Sequence, residues 1–142
     1  FGHRDPRRVT PANLTATMRQ GNLVVCGGPM LTFYAQENRS RVPIGGTVRV
    51  KSDTLTLVAE VRAPSWIRTN KLQVVVNGQV VKEVVLNQPE NAPLNYRGTI
   101  QVPLPPDAPR GWVILIARGE KFTALYGAYP LSFTNPLYWE RE

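Results

Sequence analysis

One cysteine and one histidine occur in 142 residues, and those two scarcities exclude several kinds of catalytic site. A lone Cys26 permits no internal disulfide and no thiolate cluster. Its neighbours, Leu23-Val24-Val25, make it read as a small buried hydrophobe, not a reactive thiol. A hydrolase built on serine, histidine and aspartate needs a base to take the nucleophile's proton. The only histidine is His3, in a polar N-terminal arm. A zinc site needs about three protein ligands. His3 with Asp5 supplies two at most, and the ten acidic residues are scattered singly. Gly27-Gly28 and Gly45-Gly46 lack the following Lys-Ser/Thr of a phosphate loop, so both read as turns or bulges.

Other absences bound the partners. No apolar run approaches the roughly 18 residues that cross a bilayer, so no membrane span is expected. The net charge of +7 raises anionic partners. There is, however, no run of five Lys/Arg residues. Arg4, Arg7 and Arg8 gather at the N-terminus, while others, such as Arg49 and Lys51, alternate along strands. That spacing reads as a solvated basic face and not as a nucleic-acid groove. The sequons Asn13-Leu14-Thr15 and Asn38-Arg39-Ser40 read as chance occurrences. The sequence shows no internal repeat and no low-complexity tract. The sequence starts at Phe1, so it is expected to be an excised or processed piece.

What is present is β-structure. Residues 1–9 form a basic arm, 10–22 a short helix, and 23–142 a run of strands. Thr10 suits the helix cap and Pro11 its first position, while Gly21 ends it in a left-handed conformation. Leu14 and Met18 share one face, and a helix this short must dock on something larger. Beyond it the period changes to two. Thr47–Lys51 alternates Val48 and Val50 against Arg49 and Lys51. Leu55–Ala63 places Leu55, Leu57, Ala59 and Val61 inward. Asn77-Gly78 between Leu72–Val76 and Gln79–Leu86 is a type I′ hairpin, pairing Val75 with Val80 and Val74 with Val81. Asn87–Arg97 reads as a loop. Thr99–Leu104 reads as a strand, and Gly111–Arg118, apolar on both faces, as a central one. Gly119–Tyr129 reads as loop-like, and Phe133–Trp139 as a terminal strand interrupted at Asn135-Pro136. Strands every 8–12 residues predict a mainly β, immunoglobulin-like antiparallel β-sandwich with one short N-terminal helix.

The aromatic residues raise sugar stacking. Trp66, Trp112, Trp139, Tyr96, Tyr126, Tyr129 and Tyr138 are the candidates. Trp112, opening a central strand, is expected in the core, and Trp139 exposed or facing a partner. A stand-alone carbohydrate- or cell-surface-binding module would use Trp66, Tyr129 and Trp139 as its platform.

The order of the strand-end phrases carries a resemblance. Gly28-Pro29, Ala63-Pro64-Ser65-Trp66, Val76-Asn77-Gly78 and Phe133-Thr134-Asn135-Pro136-Leu137-Tyr138, preceded by Leu14–Gly21, resemble the C-terminal β-sandwich region of CehA/McbA-type metallohydrolases. These are bacterial proteins whose main domain is a PHP-type metal-dependent phosphoesterase. The likeness covers residues 10–139. Where the family has Thr-Asn-Gly-Pro, this sequence has Cys26-Gly27-Gly28-Pro29. The family's metal-binding His/Asp segments lie upstream of everything here, so no ligand carries over. The resemblance implies a non-catalytic accessory domain that meets a catalytic domain, upstream or in another chain, through Leu14, Met18, Gly28, Pro29 and Trp66. It implies a divalent metal in that catalytic domain and no cofactor in this sequence. A periplasmic or secreted setting is favoured over a cytoplasmic one.

Overall fold

The computed structural model describes residues 5–37, 40–121 and 129–142. His3, Asn38, Arg39 and Tyr126 therefore lie outside the described residues, as does most of the Gly119–Tyr129 segment.

The expected arm contains a 3-10 turn at Pro6–Arg8, capped by the Asp5 carboxylate, which accepts from the Arg7 amide at 3.0 Å. Helix α1 follows at Pro11–Arg19. Its start is a reciprocal capping box: Thr10 Oγ1 accepts from the Asn13 amide, and Asn13 Oδ1 accepts from the Thr10 amide. Asn13 also donates to the Arg8 carbonyl at 2.7 Å, so both ends of the first sequon's amide are engaged in the cap. Gly21 at φ +70 ends the helix and packs against Gly45.

Eleven strands follow among the described residues: β1 Val24–Gly27, β2 Met30–Glu37, β3 Ser40–Pro43, β4 Thr47–Val50, β5 Thr54–Ala63, β6 Thr69–Val76, β7 Gln79–Val85, β8 Leu94–Pro103, β9 Arg110–Gly119, β10 Leu131–Thr134 and β11 Leu137–Arg141. They form two sheets. One runs β3-β2-β5-β8. The other is centred on β9, with β6 and then β7 on one side and β10 and β11 in tandem on the other. Beyond that tandem lie β1, antiparallel to β10, and β4, parallel to β11. This is the strand order of an immunoglobulin-like sandwich. Among the described residues the β4–β11 pair is parallel and the other strand pairs are antiparallel.

The core fills the space between the sheets. Leu55, Leu57, Ala59 and Val61 of β5 face Leu72, Val74 and Val76 of β6 and Val113, Leu115 and Ala117 of β9, all fully buried. The Asn77-Gly78 turn has both residues at positive φ, +49 and +88, as a type I′ turn requires. Val75 pairs with Val80 as expected. Val74, however, pairs with Lys82, because a bulge on β7 inserts Val81 into the ladder. Strand β3 was not anticipated, and β8 starts at Leu94 inside the expected loop.

The terminal strand is two strands. Phe133 opposes Ile116 and Leu137 opposes Val113, so four steps on β10–β11 face three on β9. The extra residue at Asn135-Pro136 is a bulge that reverses which side chains point inward. Pro136 has no amide to donate, and its carbonyl accepts from Gly45 at 2.9 Å. The Asn135 amide meets the Leu23 carbonyl at 2.9 Å. At this seam the tandem exchanges β1 for β4 as its neighbour.

Candidate functional site

The structure separates the residues singled out from the sequence into three places. Leu14 and Met18 sit on α1, both exposed, and α1 buries no side chain. Gly28 and Pro29 lie in the β1–β2 turn at one end of the sandwich. A Cβ on Gly28 would touch Ile67 and Pro130 at 3.2–3.3 Å, so the β5–β6 and β9–β10 connections meet that turn. Trp66 and Tyr129, 65% and 66% exposed, project from those same connections. Pro29 itself is buried, and its carbonyl accepts from the Ser132 hydroxyl. It therefore anchors the turn and offers no free face.

Three expectations are corrected. Trp139 is 1% exposed and belongs to the core, so it cannot serve as a stacking platform. The bulge at Asn135-Pro136 turns it inward, beside Leu137. Trp112 takes the opposite course: it lies half-buried on the outer face of β9. Cys26 is exposed, because β1 is an edge strand, and its Sγ lies 3.1 Å from the Pro29 carbonyl.

Trp112 forms part of a cavity of about 550 Å³ on that outer face. Strand pairing sets Tyr138 directly across from Trp112, and Glu140 across from Arg110. Thr47, opposite Tyr138 on β4, closes one side, and Asn77 of the hairpin turn closes another. The Asn77 side chain is fixed: its Oδ1 accepts from the Trp112 amide at 2.9 Å, while the Asn77 amide donates to the Trp112 carbonyl at 3.1 Å. Gly111 makes room for it, since a Cβ there would lie 2.4 Å from Asn77 Oδ1 and 2.7 Å from the Trp139 ring. Glu140 is held by Arg49 at 3.0 Å. Arg110 makes no ion pair among the described residues.

The cavity does not follow from the apolar pattern of Gly111–Arg118, which puts Trp112 in the core. One signal was available. With Val113, Leu115 and Ala117 inward, parity sends Trp112 outward.

Side-chain hydrogen bonds from Gln73 and then Lys71 lower the Glu83 pKa below its usual 4.5, and burial raises that of Tyr96 above 10.0. These two stand apart from the cavity and from each other. Among the described residues, no three of His, Cys, Asp and Glu converge as a metal site would require. No helix among them is long and apolar enough to cross a membrane. Comparison with protein-family models, with curated proteins and with solved structures returns no match.

Proposed function

We propose that these residues form a non-catalytic accessory β-sandwich that packs against the catalytic domain of a PHP-type metal-dependent hydrolase, upstream in the same protein or in another chain. The observation that supports this is the state of α1. It is capped at its start and stopped by Gly21, yet no side chain on it is buried. A nine-residue helix is marginal without tertiary packing, so its sequence signals are spent on a surface meant to be covered. Leu14 and Met18 are the apolar pair such a covering would bury. The metal and the chemistry belong to the partner domain, and the sandwich supports and shapes it.

The test uses the intact gene product. Where the catalytic domain is in the same protein, the mass should exceed 15.9 kDa; in either case the protein, alone or with its partner chain, should hydrolyse an activated phosphodiester only with divalent metal. Leu14→Asp with Met18→Asp should open the junction to limited proteolysis and lower turnover, leaving the sandwich folded. Tight one-to-one metal binding and phosphoester turnover by residues 1–142 alone would overturn the reading, as would an unchanged double variant.

A further inference from the structure

We propose that the Trp112–Tyr138 cavity is a binding site for a neutral saccharide. The inference does not depend on the accessory-domain reading. Three observations point to it together.

The first is the aromatic pair. Tryptophan and tyrosine lie opposite each other on neighbouring strands of an outer sheet face, Trp112 half-buried and Tyr138 45% exposed. An exposed aromatic face has a negative quadrupole and little affinity for water, so it attracts the C–H face of a pyranose ring. Adjacent rings on one rigid sheet form a longer platform than a single ring on a loop. That distinguishes this pair from Trp66 and Tyr129, which stand on connections between strands.

The second is the polar rim. Arg110 offers unpaired guanidinium donors, and Glu140 offers a carboxylate that Arg49 holds in place. Asn77 spends its Oδ1 on the Trp112 amide, which leaves its Nδ2 as a donor. Thr47 adds a hydroxyl that both donates and accepts. Donors and acceptors thus flank one apolar floor, which suits a polyol bearing alternating hydroxyls. Arg110 and Glu140 are cross-strand partners, so the rim carries both signs at the same level. Glu140 keeps its second carboxylate oxygen as an acceptor beside the Arg110 donors, so a sugar's neighbouring hydroxyls can donate to one and accept from the other.

The third is rigidity. Asn77 sits at φ +49 and is bonded to Trp112 through both backbone and side chain. Gly111 leaves the space this bond needs. Side chains held this way lose little freedom on binding, so weak individual contacts add up.

The experiment screens the full protein on an array of neutral and acidic glycans. Neutral hits are then titrated by heteronuclear NMR against the wild type and single variants. Expected is binding to a neutral oligosaccharide, with shifts confined to residues around Trp112, Tyr138 and Asn77. Trp112→Ala should weaken it by roughly twofold to tenfold, the value of one lost stacking contact. Exposed Tyr138→Ala and Arg110→Ala give the same readout if Trp112→Ala unfolds, and Trp66→Ala should leave binding unchanged. The proposal is overturned if no neutral glycan binds, if Tyr138→Ala and Arg110→Ala both bind as wild type, if only acidic glycans bind in a salt-sensitive way, or if Trp66→Ala abolishes binding. None of these outcomes alters the α1 test, so the two readings fail separately.

Discussion

Replacing Trp139 by alanine tests the most consequential packing feature, because the same chain carries an exposed tryptophan for comparison. Trp139 is 1% exposed, lies opposite the buried Val48 of β4, and has Arg141 5.9 Å from its ring centre. Removing a buried indole costs about 3–5 kcal/mol, transfer energy plus the cavity left behind. With a urea dependence of about 2 kcal/mol per molar, the midpoint falls by roughly 1.5–2.5 M. Trp66, at 65% exposure, has no such burial to lose, so Trp66→Ala should stay within about 0.5 kcal/mol.

A third variant separates the ring from its polar atom. The Trp139 indole N–H is buried without a hydrogen-bond partner among the described residues. Trp139→Phe removes that unpaired donor along with some volume, so its cost should fall well short of alanine's, on the order of 1–2 kcal/mol. The assay is urea unfolding followed by far-ultraviolet circular dichroism, which does not rely on the tryptophan being changed. Equal midpoints for Trp66→Ala and Trp139→Ala would refute the assignment of Trp139 to the core. A Trp139→Phe cost matching alanine's would refute the argument about the unpaired N–H.

Other expectations follow from single contacts. Thr134 Oγ1 accepts from the buried Leu115 amide at 3.1 Å, so Thr134→Val should cost about 1–3 kcal/mol and Thr134→Ser much less, read from the same urea curves. Asn77→Ala puts at φ +49 a residue that tolerates the left-handed region less well than asparagine, and it frees the Trp112 amide, which should cost about 1–2 kcal/mol. Glu83 has its pKa lowered by Gln73 and then Lys71, so its stabilisation is present above 4.5 and disappears as pH falls through the lower folded value. An NMR titration should find its carboxyl midpoint below 4.5, and Gln73→Ala should move that midpoint upward. Exposed Cys26 should react with a thiol reagent without denaturant, one equivalent per chain, whereas a protected thiol would contradict its placement on the edge of β1.

The parts of the fold legible in the sequence are those where local chemistry leaves one solution. Asn77-Gly78 accepts two positive φ values that few other pairs tolerate, and the strands on either side alternate in step. Leu55, Leu57, Ala59 and Val61 declare the buried face of β5 by period alone. Thr10, Pro11 and Gly21 mark both ends of α1. What could not be read depends on distant pairing. The bulge at Val81 offsets β7 against β6 by one residue, and the alternation of the two strands does not announce it. The parallel meeting of β4 with β11 joins residues about ninety positions apart, and no local pattern encodes it. The candidate cavity shares that dependence, since Thr47, Asn77, Trp112 and Tyr138 converge only through register. An indole's side of a sheet follows from parity, and parity is reset by each bulge.

Strand β10 shows why the reversal at that seam has consequences beyond Trp139. Its inward residues are Ser132 and Thr134, both buried, and its outward residues are Leu131 and Phe133, 38% and 37% exposed. Hydrophobicity alone would choose the other face. The inward hydroxyls are retained because each serves a backbone group: Ser132 donates to the Pro29 carbonyl, which the Cys26 Sγ also reaches, and Thr134 accepts from the buried Leu115 amide. Burying such groups unpaired would cost about 1–3 kcal/mol each, comparable with the gain from turning Leu131 or Phe133 inward. Polar satisfaction therefore fixes the parity of β10, and the bulge at Asn135-Pro136 restores an apolar inward face for β11. One chain segment thereby satisfies the β1–β2 turn, fills the core with Leu137 and Trp139, and presents Tyr138 beside Trp112 on the outer face.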